Sequence, residues 1–181
     1  EYNSNTIGTS IGGIPLQAGS ENSALFLAVY DSSGLILDVF SDASVGIGDK
    51  KIMDIDDNGN VFVSIQSQST HPYNLKFFKF HFDGSNIIQD FSYSPVSSTG
   101  TQGIQTQAMD ITSDKSGGAY IVGRYCGETY FSPSISLTTD PDGSVGRYNS
   151  FILRIDNNGT VLWAETDFCD EYGTMFSVIS N

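Results

Sequence analysis

The chain has 181 residues, 39% hydrophobic and 12% aromatic, which is enough for one globular domain with a core and too apolar for a disordered chain. Only 8 basic residues stand against 21 acidic ones, and the net charge of −13 argues against nucleic acid and anionic membrane surfaces as partners, because both need a basic face. No run approaches the roughly 20 apolar residues that cross a bilayer, so no membrane insertion is expected, and the start at Glu1 reads as a processed product or an excerpt of something longer.

Taken in order, residues 5–11 read as the second strand of a hairpin, and 12–22, rich in Gly, Ser and Asn, as a loop. Strands are expected over 23–30 and 35–40, joined by Asp31-Ser-Ser-Gly34, then a loop at 41–49. Strands over 50–56 and 60–66 flank Asp57-Asn-Gly59, and the loop 67–73 holds His71-Pro72. Strands over 74–82 and 86–92 flank Asp83-Gly84, and a Ser/Thr/Gly/Gln loop covers 93–104. Strands over 106–112 and 118–125 flank Asp114-Lys-Ser-Gly117, and 126–148 is expected to be irregular. Strands over 149–156 and 160–167 flank Asn157-Asn-Gly159, and a last strand covers 173–180. Short strands separated by Asp/Asn/Gly turns signal an all-β protein, and no window carries the 3.6-residue period of a helix.

Two hairpin patterns alternate. One is Met53-Asp-Ile-Asp-Asp-Asn-Gly-Asn-Val-Phe-Val63, repeated from Met109 to Val122 and opened again at Met175; the other starts at Leu25, Phe77 and Phe151. Four strands per repeat is the signature of a propeller blade. Runs such as Leu25-Phe-Leu-Ala-Val-Tyr30 are apolar on both faces, as in a sheet stacked between two others rather than wetted on one side. Phe151-Ile-Leu-Arg-Ile-Asp-Asn-Asn-Gly-Thr-Val-Leu-Trp163 and the run 53–63 resemble the SBBP and NHL-like β-propeller repeats over most of the chain, although only the third copy has the Trp and the second has a shortened Phe-Asp-Gly turn. The resemblance implies a fold and no activity, since such repeats occur in surface, scaffold and enzyme proteins alike.

The expected architecture is a single domain over 1–181, a β-propeller or propeller segment of about three four-stranded antiparallel blades at 1–48, 49–104 and 105–181. Labelling strands A to D from inside out, the chain begins at strand B and ends at strand A, so its last strand is expected to pair with the N-terminal strand of the same or another copy, relieving exposed edges. Tight turns fall at one end of the sheets and long loops at the other, where function concentrates. The longest loop supplies the candidate ligand or partner residues Tyr125, Tyr130, Phe131, Asp140, Asp142, Arg147 and Tyr148, suited to stacking on sugar rings, to anchoring a protein, or to packing the loop on its own blade.

Asp54, Asp56 and Asn58 alternate like calcium ligands but lack the distant bidentate Glu, and a tight Asp-Asn-Gly turn explains them with less. Cys126 and Cys169 are candidates for a disulfide, and Asn158-Gly-Thr160 is a glycosylation sequon that is also turn chemistry. His71 and His81 stand apart, and no nucleophile-elbow or zinc spacing occurs, so neither a catalytic residue nor a cofactor is expected. Scarce Lys and abundant Ser, Thr, Asn and Gly suggest an exported, cell-surface or extracellular protein. The expected function is a structural or adhesive building block that displays one loop face and assembles through edge strands with copies of itself. The alternatives are a lectin-like carbohydrate-binding propeller or a non-catalytic domain of a larger secreted protein.

Overall fold

The structure, a computed structural model, describes residues 10–16, 25–42, 51–67, 74–97, 106–139, 148–167 and 178–179. Every regular element among them is a β-strand: β1 (Ser10–Ile11), β2 (Ile14–Pro15), β3 (Leu25–Tyr30), β4 (Ile36–Asp42), β5 (Lys51–Ile55), β6 (Val61–Ser67), β7 (Asn74–Phe82), β8 (Ile87–Tyr93), β9 (Val96–Ser97), β10 (Gln107–Ser113), β11 (Ala119–Tyr125), β12 (Glu128–Ser132), β13 (Ile135–Thr138), β14 (Asn149–Ile155) and β15 (Val161–Asp167). All ladders are antiparallel.

Two four-stranded meanders dominate. The central sheet has the order β5-β6-β7-β8 and the last sheet β10-β11-β14-β15, while β3 and β4 make a two-stranded first sheet. The ten strands expected between 23 and 167 therefore stand, in the expected hairpins. Of the strand expected over 5–11 only Ser10–Ile11 is described, and it pairs forward with Ile14–Pro15 rather than closing an earlier hairpin. Of the strand expected over 173–180 only residues 178–179 are described, and they are not in a strand. Among the described residues these sheets close into neither a barrel nor a ring.

Three stretches expected to be loops contain strands. Within 12–22, β2 pairs with β1 around Gly12 and Gly13, both at positive φ. Within 93–104, β9 pairs with β12. Within 126–148, β12 and β13 form a hairpin in which Thr129, Phe131 and Leu137 are buried and Tyr130 is exposed. That alternation has the period of a strand with one covered face.

The central sheet is covered on both sides. Adjacent strand residues point to opposite faces, and the sequence loads both with apolar groups. Val63, Ile65, Phe78, Phe80 and Ile87 pack on Leu25, Leu27, Val29 and Phe40 of the first sheet. Phe62, Leu75 and Phe77 face the other way, onto Ile121, Phe151, Leu153 and Ile155 of the last sheet. Burying a Phe, Leu or Ile contributes about 1.5–3 kcal/mol, so this double coverage is the main support of the stack.

The β12–β13 hairpin sets Phe131, Ile135 and Leu137 into the same core beside Phe91 and Tyr93 of β8 and Ala164 of β15. Tyr93 locks it by donating its hydroxyl to the Phe131 carbonyl at 2.6 Å. Burial pushes the Tyr93 phenol well above its ordinary range, so the donor keeps its proton.

Polar links join neighbouring sheets. Asp54 on β5 accepts the Ser113 backbone N–H at 2.7 Å and its hydroxyl at 2.8 Å from β10. Asp110, at the corresponding place on β10, accepts the N–H of Val178, which lies outside the sheets, at 2.9 Å. Asp38 of β4 accepts the Ile87 N–H of β8 at 2.6 Å.

Candidate functional site

The strands run between two chemically different ends. At one end lie five Asp-headed turns. Asp31, Asp56, Asp114 and Asp156 each turn one carboxylate oxygen onto the backbone N–H groups two and four residues on, at 2.8–2.9 Å. The shortened Asp83 turn uses residues two and three on, Ser85 and Asn86, at 2.8 and 2.7 Å. In the four longer turns a Gly in the left-handed region supplies the third step and donates back to the Asp carbonyl.

At Asp31, Asp83 and Asp114 these bonds stabilise the ionised carboxylate. Burial acts to raise the Asp114 carboxyl, but hydrogen bonds from the Ser116 hydroxyl, the Gly118 and Ser116 N–H groups and Arg154 outweigh it and hold the group below its usual value. The same balance lowers Asp54, where burial is opposed by the Ser113 N–H and hydroxyl. In the exposed Asp31 turn the Ser33 hydroxyl is the chief cause of a lowered pKa.

A cleft of about 430 Å3 opens between the two inner turns, lined by Ile55, Asp56, Asp57, Asn58, Ser113, Asp114 and Lys115. Its size lies in the range of small-molecule sites, but Asp56 serves its own turn and Asp114 serves its turn and Arg154. The candidate calcium residues behave alike: Asp54 bonds to Ser113 across the sheets, Asp56 to Asn58 and Asn60, and Asn58 lies in the exposed turn. Among the described residues no group of three or more His, Cys, Asp or Glu is placed to hold a metal ion.

The opposite end carries a different set. Gln66 at the end of β6 accepts from Gln107 at the start of β10 at 2.8 Å, and Gln107 in turn accepts from Arg124 of β11 at 2.8 Å. The Arg124 guanidinium lies 4.4 Å from the centre of the Tyr148 ring, a cation–π contact. An amide, an amide, a guanidinium and an aromatic ring thus form one row across two sheets. Of this row the sequence singled out Tyr148 alone; the signal for the rest was Gln or Arg at the loop ends of β6, β10 and β11.

The remaining expected site residues divide. Tyr125 and Phe131 are almost wholly buried and belong to the core; the Tyr125 hydroxyl donates to Thr166 at 3.0 Å and the ring meets Phe151 edge-on. Tyr130 is 37% exposed, and its hydrogen bond with Glu128 raises its phenol pKa. Asp140, Asp142 and Arg147 lie outside the described residues. Cys126 is a half-buried free thiol, and Cys169 lies outside the described residues, as does His71. His81 sits in β7 against Asp90 at 2.7 Å. Asn158 is exposed in its turn, its N–H bonded to Asp156.

No protein-family model matches the chain, and no curated protein matches it.

Proposed function

We propose that the chain is a β-propeller-type segment of the SBBP and NHL-like kind and works as an extracellular structural or adhesive building block. Each four-stranded meander is read as one blade, with its inner strand at β5 or β10. One observation carries the reading: Asp54 of the central sheet grips Ser113 of the last sheet, and Asp110, at the matching place on the last sheet, takes the N–H of Val178 from the C-terminal segment. A sandwich of two sheets has no use for a link that repeats in one direction.

In this reading the turn end is saturated and the loop end is displayed, with the Gln66–Gln107–Arg124–Tyr148 row as its chemically defined part. Edges are closed by copies of the chain, since among the described residues β3 pairs only with β4. Negative-stain class averages of the purified chain test the architecture: wedge- or ring-shaped particles with radial sheets are expected, and a two-layered sandwich overturns it. The aromatic and guanidinium in that row favour one second reading, sugar binding at the loop end. A glycan array decides it: a specific glycan lost in Arg124→Ala supports the lectin reading, and an array without hits supports the building block.

A further inference from the structure

The contact between the central and last sheets has a recognisable polar centre. Lys79 of β7 is buried, lies 5.7 Å from the Phe62 ring centre of the neighbouring strand, and donates to the Asn157 side chain in the β14–β15 turn of the next sheet. The outward face of the last sheet repeats it. Tyr120 pairs in register with Arg154 as Phe62 does with Lys79, and Arg154 lies 5.4 Å from the Tyr120 ring centre. Trp163, paired with Arg154 on β15, meets the same ring at 6.1 Å. Here, however, the cation's side chain is 31% exposed.

At the other end of the stack, the first sheet turns Phe26 and Tyr30 outward at 53% and 54% exposure, with Leu37 at 42% beside them. The β1–β2 hairpin lies against Ile36 at the turn side and leaves these groups uncovered. An apolar sheet face of this kind marks an interaction surface.

We propose that a second copy of this chain docks head to tail: the Tyr120–Arg154–Trp163 face of one copy receives the Phe26–Tyr30 face of the next. That the partner is a second copy follows from continuity with the internal contact. The face presented to Lys79 within the chain belongs to the hairpin with turn Asp156-Asn157-Asn158-Gly159, and the free first sheet is the equivalent hairpin with turn Asp31-Ser32-Ser33-Gly34. Docked alike, Ser32 of the second copy takes the place of Asn157 and brings its hydroxyl to Arg154, while Phe26 and Tyr30 cover Tyr120 and Trp163. The interface is heterologous, so copies add in one direction until they close a ring. This rests on the blade reading above and adds to it which two faces meet.

Trp163 is the single tryptophan of the chain, and it sits on the receiving face, so its emission reports the contact directly. Sedimentation and emission are followed on dilution from about 500 µM to about 1 µM, a span that covers weak association. The wild type is expected to dissociate on dilution with a red shift of Trp163. Phe26→Asp and Trp163→Asp are each expected to raise the dissociation constant at least about tenfold, as loss of a central aromatic anchor does, with circular dichroism confirming that both stay folded.

The two blocked variants mixed one to one are expected to recover a complex of twice 19.6 kDa, because one intact junction remains. A monomeric wild type throughout the range overturns the proposal. So does a self-associating wild type whose mixed variants stay monomeric, a result that leaves the blade architecture standing; sandwich-shaped particles under negative stain remove the architecture itself.

Discussion

The two ends of the sheets solve the same problem by opposite means. At the turn end, Asp31, Asp56, Asp83, Asp114 and Asp156 each satisfy their own hairpin within a few residues of sequence. At the loop end a polar chain crosses between sheets: Gln66 to Gln107, a separation of 41 residues, and from Gln107 along its own sheet to its cross-strand partner Arg124. Among the described residues two buried groups, the Ser64 hydroxyl and the Asn149 amide nitrogen, have no hydrogen-bond partner. Local satisfaction makes a rigid, repeatable end with little left to bind; non-local satisfaction makes each sheet's loop end depend on its neighbour.

Substitutions can break that comparison in order of severity. The largest effect is expected where backbone crowds backbone, and it should not distinguish the ends. A Cβ on Gly123, toward the loop end, would sit 2.1 Å from the Gln107 carbonyl oxygen, and one on Gly118, in the turn, 2.3 Å from that of Ile155. Gly123→Ala and Gly118→Ala should each lose about 3 kcal/mol as overpacking, read as a lower urea midpoint with unchanged slope.

Asp114→Ala comes next, at about 2 kcal/mol, because three turn hydrogen bonds vanish and Arg154 loses its partner. Gln107→Ala at the other end should cost about 1 kcal/mol and should weaken sheet-to-sheet contact more than hairpin stability, seen as hydrogen-exchange protection lost across both β6 and β10. Gly59→Ala, at φ +79 with open space around it, should cost about 1 kcal/mol from backbone strain alone.

The smallest effect is the acid limb. Asp54 and Asp114 titrate lower in the folded chain than the ordinary 3.8, so the unfolded chain binds protons first as pH falls. Their contribution is present in full above that value and is lost as pH drops through the lowered folded values. Asp54→Asn should flatten this limb in acid titrations of stability, whereas a group exposed in the loops should leave it unchanged.

The main strands were legible because each is short, apolar and bounded by an Asp/Gly turn whose chemistry is local. The central sheet's double coverage shows in the same kind of pattern: along Val61-Phe-Val-Ser-Ile65 only Ser64 is polar, Phe62 facing the last sheet and Val63 and Ile65 the first, whereas the Leu25–Tyr30 run expected to be covered on both faces leaves Phe26 and Tyr30 exposed. The β12–β13 hairpin was not, because Glu128–Ser132 and Ile135–Thr138 are at the short limit for strands and meet at Pro133, which reads as loop. Phe131 counted as a candidate binding residue because of that missed strand, whose alternation turns it into the core; Tyr125 instead ends the expected strand over 118–125 and is buried there, in keeping with the alternative that these residues pack on their own sheet.

The loop-end row was out of reach for another reason. Nothing in a glutamine's neighbours along the chain says that its partner lies on the next sheet, whereas an aspartate two residues before its own amide partner announces itself.

The Asp-headed turns also bear on how such a chain is made. Each closes a loop of only a few residues, an event that takes about 10–100 ns even for ten, so every hairpin can form as it leaves the ribosome, before the next sheet exists. What must wait is the slow, long-separation step of laying one sheet on another, and during that wait faces such as Phe77 and Phe151 stand bare. Assembly speed, and exposure to chaperones and proteases, should therefore be governed by the Asp54–Ser113 junction rather than by any turn.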